Sequence, residues 1–115
     1  MSCRRGDVVL VLFPDSNLRT SKRRPAVVVQ ADQLSTDLPQ TIVAMITSNM
    51  ARAGHPSRLI VRIDSKGAEG SGLIIDSVVM TDNLATIYHS EIDRVIGTFP
   101  DLRELDAALR TTLAL

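Results

Sequence analysis

The sequence predicts a small, mainly β (α+β) domain: a strongly bent antiparallel barrel with one C-terminal helix packed on its side. Three observations predict it. Short runs rich in Val, Ile and Leu recur along the chain, polar segments carrying glycine or proline separate them, and only the tail switches to a helical period. With 115 residues, 44% hydrophobic and 23% charged, the chain suits one domain spanning 1–115 and one core, and its composition is not that of a disordered segment.

The elements follow in order. Asp7 to Phe13 is a β-branched run closed by Pro14-Asp15, which predicts a buried strand ending in a turn. Ser16 to Arg23 is polar and basic, the character of an exposed loop. Pro25 then opens a second strand through Ala26-Val27-Val28-Val29, since proline is tolerated at a strand start. Ala31 to Leu38 has room for a helical turn ended by Pro39. Thr41 to Thr47 is a third strand, and Ser48 to Ser57 a second loop. Arg58 to Ile63 alternates, with Leu59, Val61 and Ile63 on one face and Arg58 and Arg62 on the other. Asp64 to Gly72 reads as a long turn, Leu73 to Met80 and Leu84 to Ile87 as two strands, and Val95-Ile96-Gly97 as the last extended piece. In the tail, Leu102, Leu105, Leu109 and Leu113 form the stripe of an amphipathic helix. Asp101 with Glu104 three residues on gives it a capping-box start after Pro100.

Composition excludes several functions. Aromatics are 3% with no Trp, so a stacking platform for nucleic-acid bases is not available. Cys3 is the sole cysteine, which rules out an internal disulfide. No Cys or His cluster has ligand spacing and the acids are scattered, so neither a metal site nor a cofactor is expected. His55 and His89 have nothing in their spacing to pair them as acid and base. The N-terminal apolar run is too short for a signal sequence and no stretch is long enough to span a bilayer, so a cytoplasmic location without membrane contact is expected.

Formal net charge is zero, yet the charges are segregated. Residues 1–24 hold six bases (Arg4, Arg5, Arg19, Lys22, Arg23, Arg24) against Asp7 and Asp15, whereas residues 64–115 hold nine acids against four bases. A basic front end can hold a phosphate chain although the isoelectric point does not announce it; solubility alone is the other reading.

Four blocks in order carry a resemblance. They are Arg5-Gly6-Asp7-Val8-Val9-Leu10-Val11, Lys22-Arg23-Arg24-Pro25-Ala26-Val27-Val28-Val29, Ala44-Met45-Ile46-Thr47-Ser48-Asn49 and Gly72-Leu73-Ile74-Ile75-Asp76-Ser77-Val78-Val79. Each alone is unremarkable; together, at these separations, they resemble the MazF/PemK/Kid toxin family across nearly the whole chain. The resemblance implies an SH3-like, CcdB/PemK-type barrel, a homodimer, and sequence-selective cleavage of single-stranded mRNA without metal. It also implies a cognate antitoxin covering the RNA groove.

It further implies that Arg24 and Thr47 are catalytic. Metal-free cleavage uses the substrate's 2′-OH as nucleophile, so the protein must move two protons and stabilise charge on the phosphoryl oxygens. A guanidinium is planar, permanently charged and able to fork two hydrogen bonds to phosphate. Thr47 ends a buried strand where polar residues begin, placing a hydroxyl at a cleft edge. Asn17, Arg19, Lys22, Ser48, Asn49, Arg52 and Asp82 are the candidate RNA contacts; a turn aspartate explains Asp82 equally well. Asp76 reads as a structural carboxylate. The first loop, Asp15 to Ser21, lacks the Glu or His that several relatives carry, and Ala85 and Tyr88 stand where relatives have a base and an acid, so the general base stays open. Two other functions compete: a CcdB-like toxin binding a protein such as DNA gyrase, which does not require Arg24 with Thr47, and a relative that has lost catalysis.

Overall fold

The computed structural model describes residues 3–14 and 21–115. Its strands are β1 (Asp7–Pro14), β2 (Ser21–Val28), β3 (Gln40–Thr47), β4 (Arg58–Val61), β5 (Ser77–Tyr88) and β6 (Ile92–Thr98), followed by helix α1 (Arg103–Leu113). Among the described residues the six strands form one antiparallel sheet in the order β4-β5-β3-β2-β1-β6, the mainly β architecture with a terminal helix that the sequence predicts.

Side chains on a strand alternate between faces, and here both faces are apolar. On one, Val8, Val27, Ala44, Ile46 and Val79 pack with Phe99 and with Leu105 and Leu109 of α1. On the other, Val9, Val11, Ala26, Val28, Val43, Met45, Ile87 and Ile92 form a second cluster. This two-sided burial explains why the β1 sequence is a continuous apolar run rather than an alternating one.

Two features bend the sheet. Along β3 and β5, Ala44 pairs with Leu84 but Met45 pairs with Met80, which leaves Thr81, Asp82 and Asn83 bulged out of register. Thr81 is fully buried there, its hydroxyl within 2.6 Å of the Ser57 carbonyl and 2.7 Å of the Thr112 hydroxyl, so the bulge is anchored to α1. The two strands expected around this point are therefore one strand with a bulge. Residues 73–76 lie outside it.

The second feature is a glycine ribbon. Residues 70–72 run against β6, where the Thr98 N–H donates to the Gly70 carbonyl (2.8 Å). Gly72 holds φ at +77°, and a Cβ on it would overlap the Ile96 carbonyl oxygen. Only glycine fits that approach.

Several expectations are corrected. Residues 31–38 hold no helical turn, because Ser35 (φ 54°) and Asp37 (φ 61°) adopt left-handed conformations that break a right-handed helix. β4 stops at Val61; Ile63 is exposed, and its N–H is taken by Asp76 Oδ1 at 3.0 Å. Asp76 is thus the hydrogen-bonding carboxylate the sequence suggested. Asp101 does not build a capping box with Glu104. It accepts the Arg103 N–H at 2.9 Å and pairs with the Arg103 guanidinium at 2.6 Å, and the N-cap position falls on Leu102. Those hydrogen bonds, the side-chain one first, hold the Asp101 carboxyl down at about 2. Of the helix stripe, Leu105 and Leu109 are buried, Ala108 joins them, and Leu113 is exposed at the fraying end.

The basic N-terminus divides its labour. Arg5 bridges Asp106 of α1 (2.7 Å) and donates to the Val29 carbonyl (2.9 Å), so it ties the helix to the sheet. No helix among the described residues is long and apolar enough to cross a membrane.

Replacing Gly72 by Ala combines left-handed strain of about 1–2 kcal/mol with overpacking of about 1–3 kcal/mol. Urea unfolding of the Gly72→Ala variant should show a lower midpoint at an unchanged slope. An unaltered midpoint would mean that the ribbon does not close tightly on β6.

Candidate active site and phosphate-binding cleft

Lys22 and Arg23 lie within β2, not in the loop the sequence suggested, and Arg24 follows them in the same strand. Pairing with β1 extends this far: Arg24 sits opposite Val11, Arg23 opposite Leu12 and Lys22 opposite Phe13. All three cations are exposed. Pro25 consequently falls inside the strand, opposite Leu10, rather than at its start.

That position matters on the other side of β2. Its pairing with β3 covers only Ala26 to Val28, against Met45 to Val43. Pro25 has no N–H with which to extend it. Carried two residues further, the same register sets Arg24 opposite Thr47, on one face, just past the point where the strands stop hydrogen bonding. The gap between the strand ends opens into a cleft of about 520 Å³.

Lys22, Arg23, Arg24, Thr47, Ser48 and Arg94 all line this cleft, together with apolar residues including Leu10, Pro25 and Ile74. Its described lining contains four cations and no carboxylate or histidine. In a chain of zero net charge, this is a local concentration of positive potential facing a groove with apolar walls, the arrangement that attracts and holds a polyanion.

Thr47 is half-buried, and its hydroxyl oxygen accepts the Asn49 N–H at 3.1 Å. Acting as acceptor there, the hydroxyl keeps its own proton to donate. Asn49 in turn caps the short 3-10 turn Met50–Arg52, its Oδ1 accepting the Ala51 N–H at 3.1 Å. The sequence Thr47-Ser48-Asn49 is thereby locked into a defined turn at the cleft edge.

Other candidates lie along the flank. The Arg52 carbonyl accepts from Arg58 Nη1 at 3.1 Å. Asp82 stands in the β5 bulge, not in a turn, and Arg58 forks onto it at 2.8 and 3.3 Å. Those hydrogen bonds hold its carboxyl below the ordinary aspartate range. Asn49, Arg52 and Asp82 do not line the cleft. Asn17 and Arg19 lie outside the described residues. His55 bonds Ser57 Oγ at 2.7 Å, and His89 lines a separate pocket beside Cys3, so the structure does not bring the two histidines to one site. Among the described residues no group of three His, Cys, Asp or Glu side chains converges as a metal site.

Arg94 was missed by the sequence reading. A single arginine in the acidic half, inside Ile92-Asp93-Arg94-Val95-Ile96, carries no local signal. Only the pairing of β6 with β1 brings it to the cleft.

Fold and site together define a small antiparallel β domain presenting a cationic groove with a hydroxyl at its edge, suited to a phosphate backbone. The chain belongs to the PemK-like, MazF-like toxins of type II toxin–antitoxin systems, whose family model matches residues 4–113. It is 33% identical over 107 residues, 90% of each chain, to the endoribonuclease MazF6 of Mycobacterium tuberculosis and to the endoribonuclease MazF2 of Mycobacterium bovis. In three dimensions it is similar to the Mycobacterium tuberculosis toxin MazF-mt6, with TM-score 0.73, 23% identity, and coverage of 95% of this chain and 97% of that one. A MazE–MazF structure from Deinococcus radiodurans gives TM-score 0.74 at 18% identity, covering 100% and 99%. An endoribonuclease from a mycobacterial species in complex with its cognate antitoxin gives 0.73 at 17%, covering 98% and 96%.

The Arg58–Asp82 pair sets a pH dependence. Because the folded-state pKa of Asp82 is lowered, the pair stabilises the fold above the unfolded value and loses that contribution as pH falls through the folded one. An Asp82→Asn variant should therefore melt slightly below wild type at pH 7, the modest effect of an exposed ion pair. Melting curves of the two proteins should converge below about pH 4. A gap that persists in acid would assign the difference to something other than this carboxylate.

Proposed function

We propose that this chain is the toxin of a type II toxin–antitoxin pair and acts as a sequence-specific endoribonuclease on single-stranded mRNA. Residues 1–115 work as one domain in the cytoplasm, as a homodimer, under the control of a cognate antitoxin that covers the groove. The reading is supported by the family, by relatives named as endoribonucleases at 33% identity, and by one geometric observation that carries it: Arg24 of β2 and Thr47 of β3 line the same basic and apolar cleft.

In the proposed reaction the 2′-oxygen attacks the adjacent phosphorus and loses its proton. The P–O5′ bond breaks, the 5′-oxygen gains a proton, and the products carry a cyclic phosphate and a 5′-OH. Arg24 binds the phosphoryl oxygens with a fixed, always-charged fork and stabilises the additional negative charge as it develops. Thr47 donates its hydroxyl hydrogen bond to the same group. The arginines take the charge-neutralising role that a metal ion would otherwise serve, so the reaction needs none. Lys22 and Ser48 hold the chain within the cleft. Asn49, Arg52 and Asp82 extend the contact along the flank, where Asp82, as an anion, accepts from exocyclic amino groups of bases rather than meeting phosphate. Asn17 and Arg19 of the first loop complete the binding set.

Incubating the purified protein with EDTA and a mixed RNA, then mapping the new ends, tests this directly. Cuts at a short motif with 5′-OH ends are expected. Arg24→Ala should lower the rate by on the order of 10²–10³-fold and Thr47→Ala by about 10²-fold, the range for losing one charge-stabilising donor. A folded wild-type protein that cuts at no motif would falsify the function, whereas cleavage surviving Arg24→Ala removes only the residue assignment. Binding should also weaken steeply with added salt, since each phosphate contact releases counterions; salt-independent binding would count against the basic groove.

A further inference from the structure

We infer that Arg94 is a substrate-binding residue of this cleft, gripping a backbone phosphate next to the one held by Arg24; the inference rests on the RNA-cleaving reading above. Three placements carry it.

The first is register. Arg94 pairs with Leu10, and Leu10 pairs with Pro25, so Arg94, Leu10 and Pro25 form one row across β6, β1 and β2 at the cleft mouth. Two strand spacings, about 10 Å, separate the β6 and β2 backbones. Arg24 precedes Pro25 in β2, so the Arg24 and Arg94 side chains reach the same cleft from its two sides.

The second is the fate of the adjacent acid. The β1–β6 register slips between Leu10 and Val11, which pairs with Ile92, and leaves Asp93 out of step. Asp93 turns to Arg23, 3.4 Å away. The bulge thus removes the carboxylate next in sequence from Arg94. Arg94 is exposed, and no salt bridge reaches it among the described residues.

The third is the wall beside it. The glycine ribbon runs antiparallel to β6, with Gly70 bonded to Thr98 and Gly72 against Ile96. Continued in that direction, the chain brings Ile74 and Ile75 alongside Arg94, and all three line the cleft. Ile74 is 90% exposed, an apolar surface with no packing role. These exposed aliphatic neighbours bring no competing charge to the guanidinium and leave it open to a phosphate.

The test uses full-length protein and an RNA of the cleaved motif carrying a 2′-deoxy substitution at the scissile position, so that binding is read without turnover. Titrations across a salt series compare wild type, Arg94→Ala and Arg94→Lys. Arg94→Ala should weaken binding about tenfold and reduce the salt slope by about 0.7, the contribution of one phosphate on a single strand. With cleavable RNA the loss should appear in KM and not in kcat, in contrast to Arg24→Ala. Arg94→Lys, which keeps the charge, should restore the slope. Unchanged affinity and slope in Arg94→Ala overturn the inference and leave the proposed function intact, as does a fall confined to kcat. A wild-type protein that neither binds nor cleaves RNA overturns the function and this inference together.

Discussion

The cleft depends on where one ladder of hydrogen bonds stops. β2 and β3 pair through Ala26 and Met45 and no further, because the next residue of β2 is Pro25, which has no N–H to give. Had the ladder continued, Arg24 and Thr47 would be an ordinary cross-strand pair on a closed sheet. With the ladder ended, both stand at an opening and line the cleft, each carried by a strand whose other half is buried. The positioning is inherited from the core: Ala26, Val28, Val43 and Met45 are packed within the sheet immediately behind Arg24 and Thr47. A site built on strand ends backed by a packed cluster is held more closely than one built on a loop.

The same economy explains how a chain of zero net charge presents a basic groove. Four of the nine acids of the C-terminal half are engaged elsewhere: Asp106 by Arg5, Asp82 by Arg58, Asp76 by Arg62 and Asp101 by Arg103. Each pair is at or near the surface and adds little to stability. Their collective effect is electrostatic sorting, since carboxylates are withdrawn from the cleft while Lys22, Arg23, Arg24 and Arg94 remain on its lining. Asp93 is the exception, because a one-residue bulge turns it from Arg94 to Arg23, itself a cation of the cleft lining.

How much of this was legible in the sequence varied with the kind of signal. Apolar runs marked β1, β3 and the core of β2 well, since burial on both faces forces continuous Val, Ile and Leu. Lys22 and Arg23 read as loop because hydrophobic pattern is blind to a strand end whose side chains face solvent, and only pairing with β1 reveals it. Thr81-Asp82-Asn83 looked like a break between strands and proved to be a bulge; both give the same polar interruption, and what separates them is the buried Thr81 anchored to α1. Arg24 and Thr47 were legible through the family's motifs, not through local chemistry. Arg94 was not legible at all, because its place depends on a long-range register slip.

The arrangement also constrains how the proposed chemistry divides its work. Among the described residues, no carboxylate or histidine lines the cleft. Asp82, the acidic candidate the sequence offers, does not line the cleft, is forked by Arg58 and has a lowered pKa, which makes it a weak base. His55 is bonded to Ser57. Nothing described is therefore built to take the 2′-OH proton in the manner of a dedicated base, whereas Arg24, Thr47, Lys22 and Arg94 are all suited to bind and neutralise phosphate. Stabilising the charge that develops on the phosphoryl oxygens favours attack on phosphorus and lowers the barrier without a dedicated base. In the proposed reaction, electrostatics therefore comes first and acid–base help is secondary.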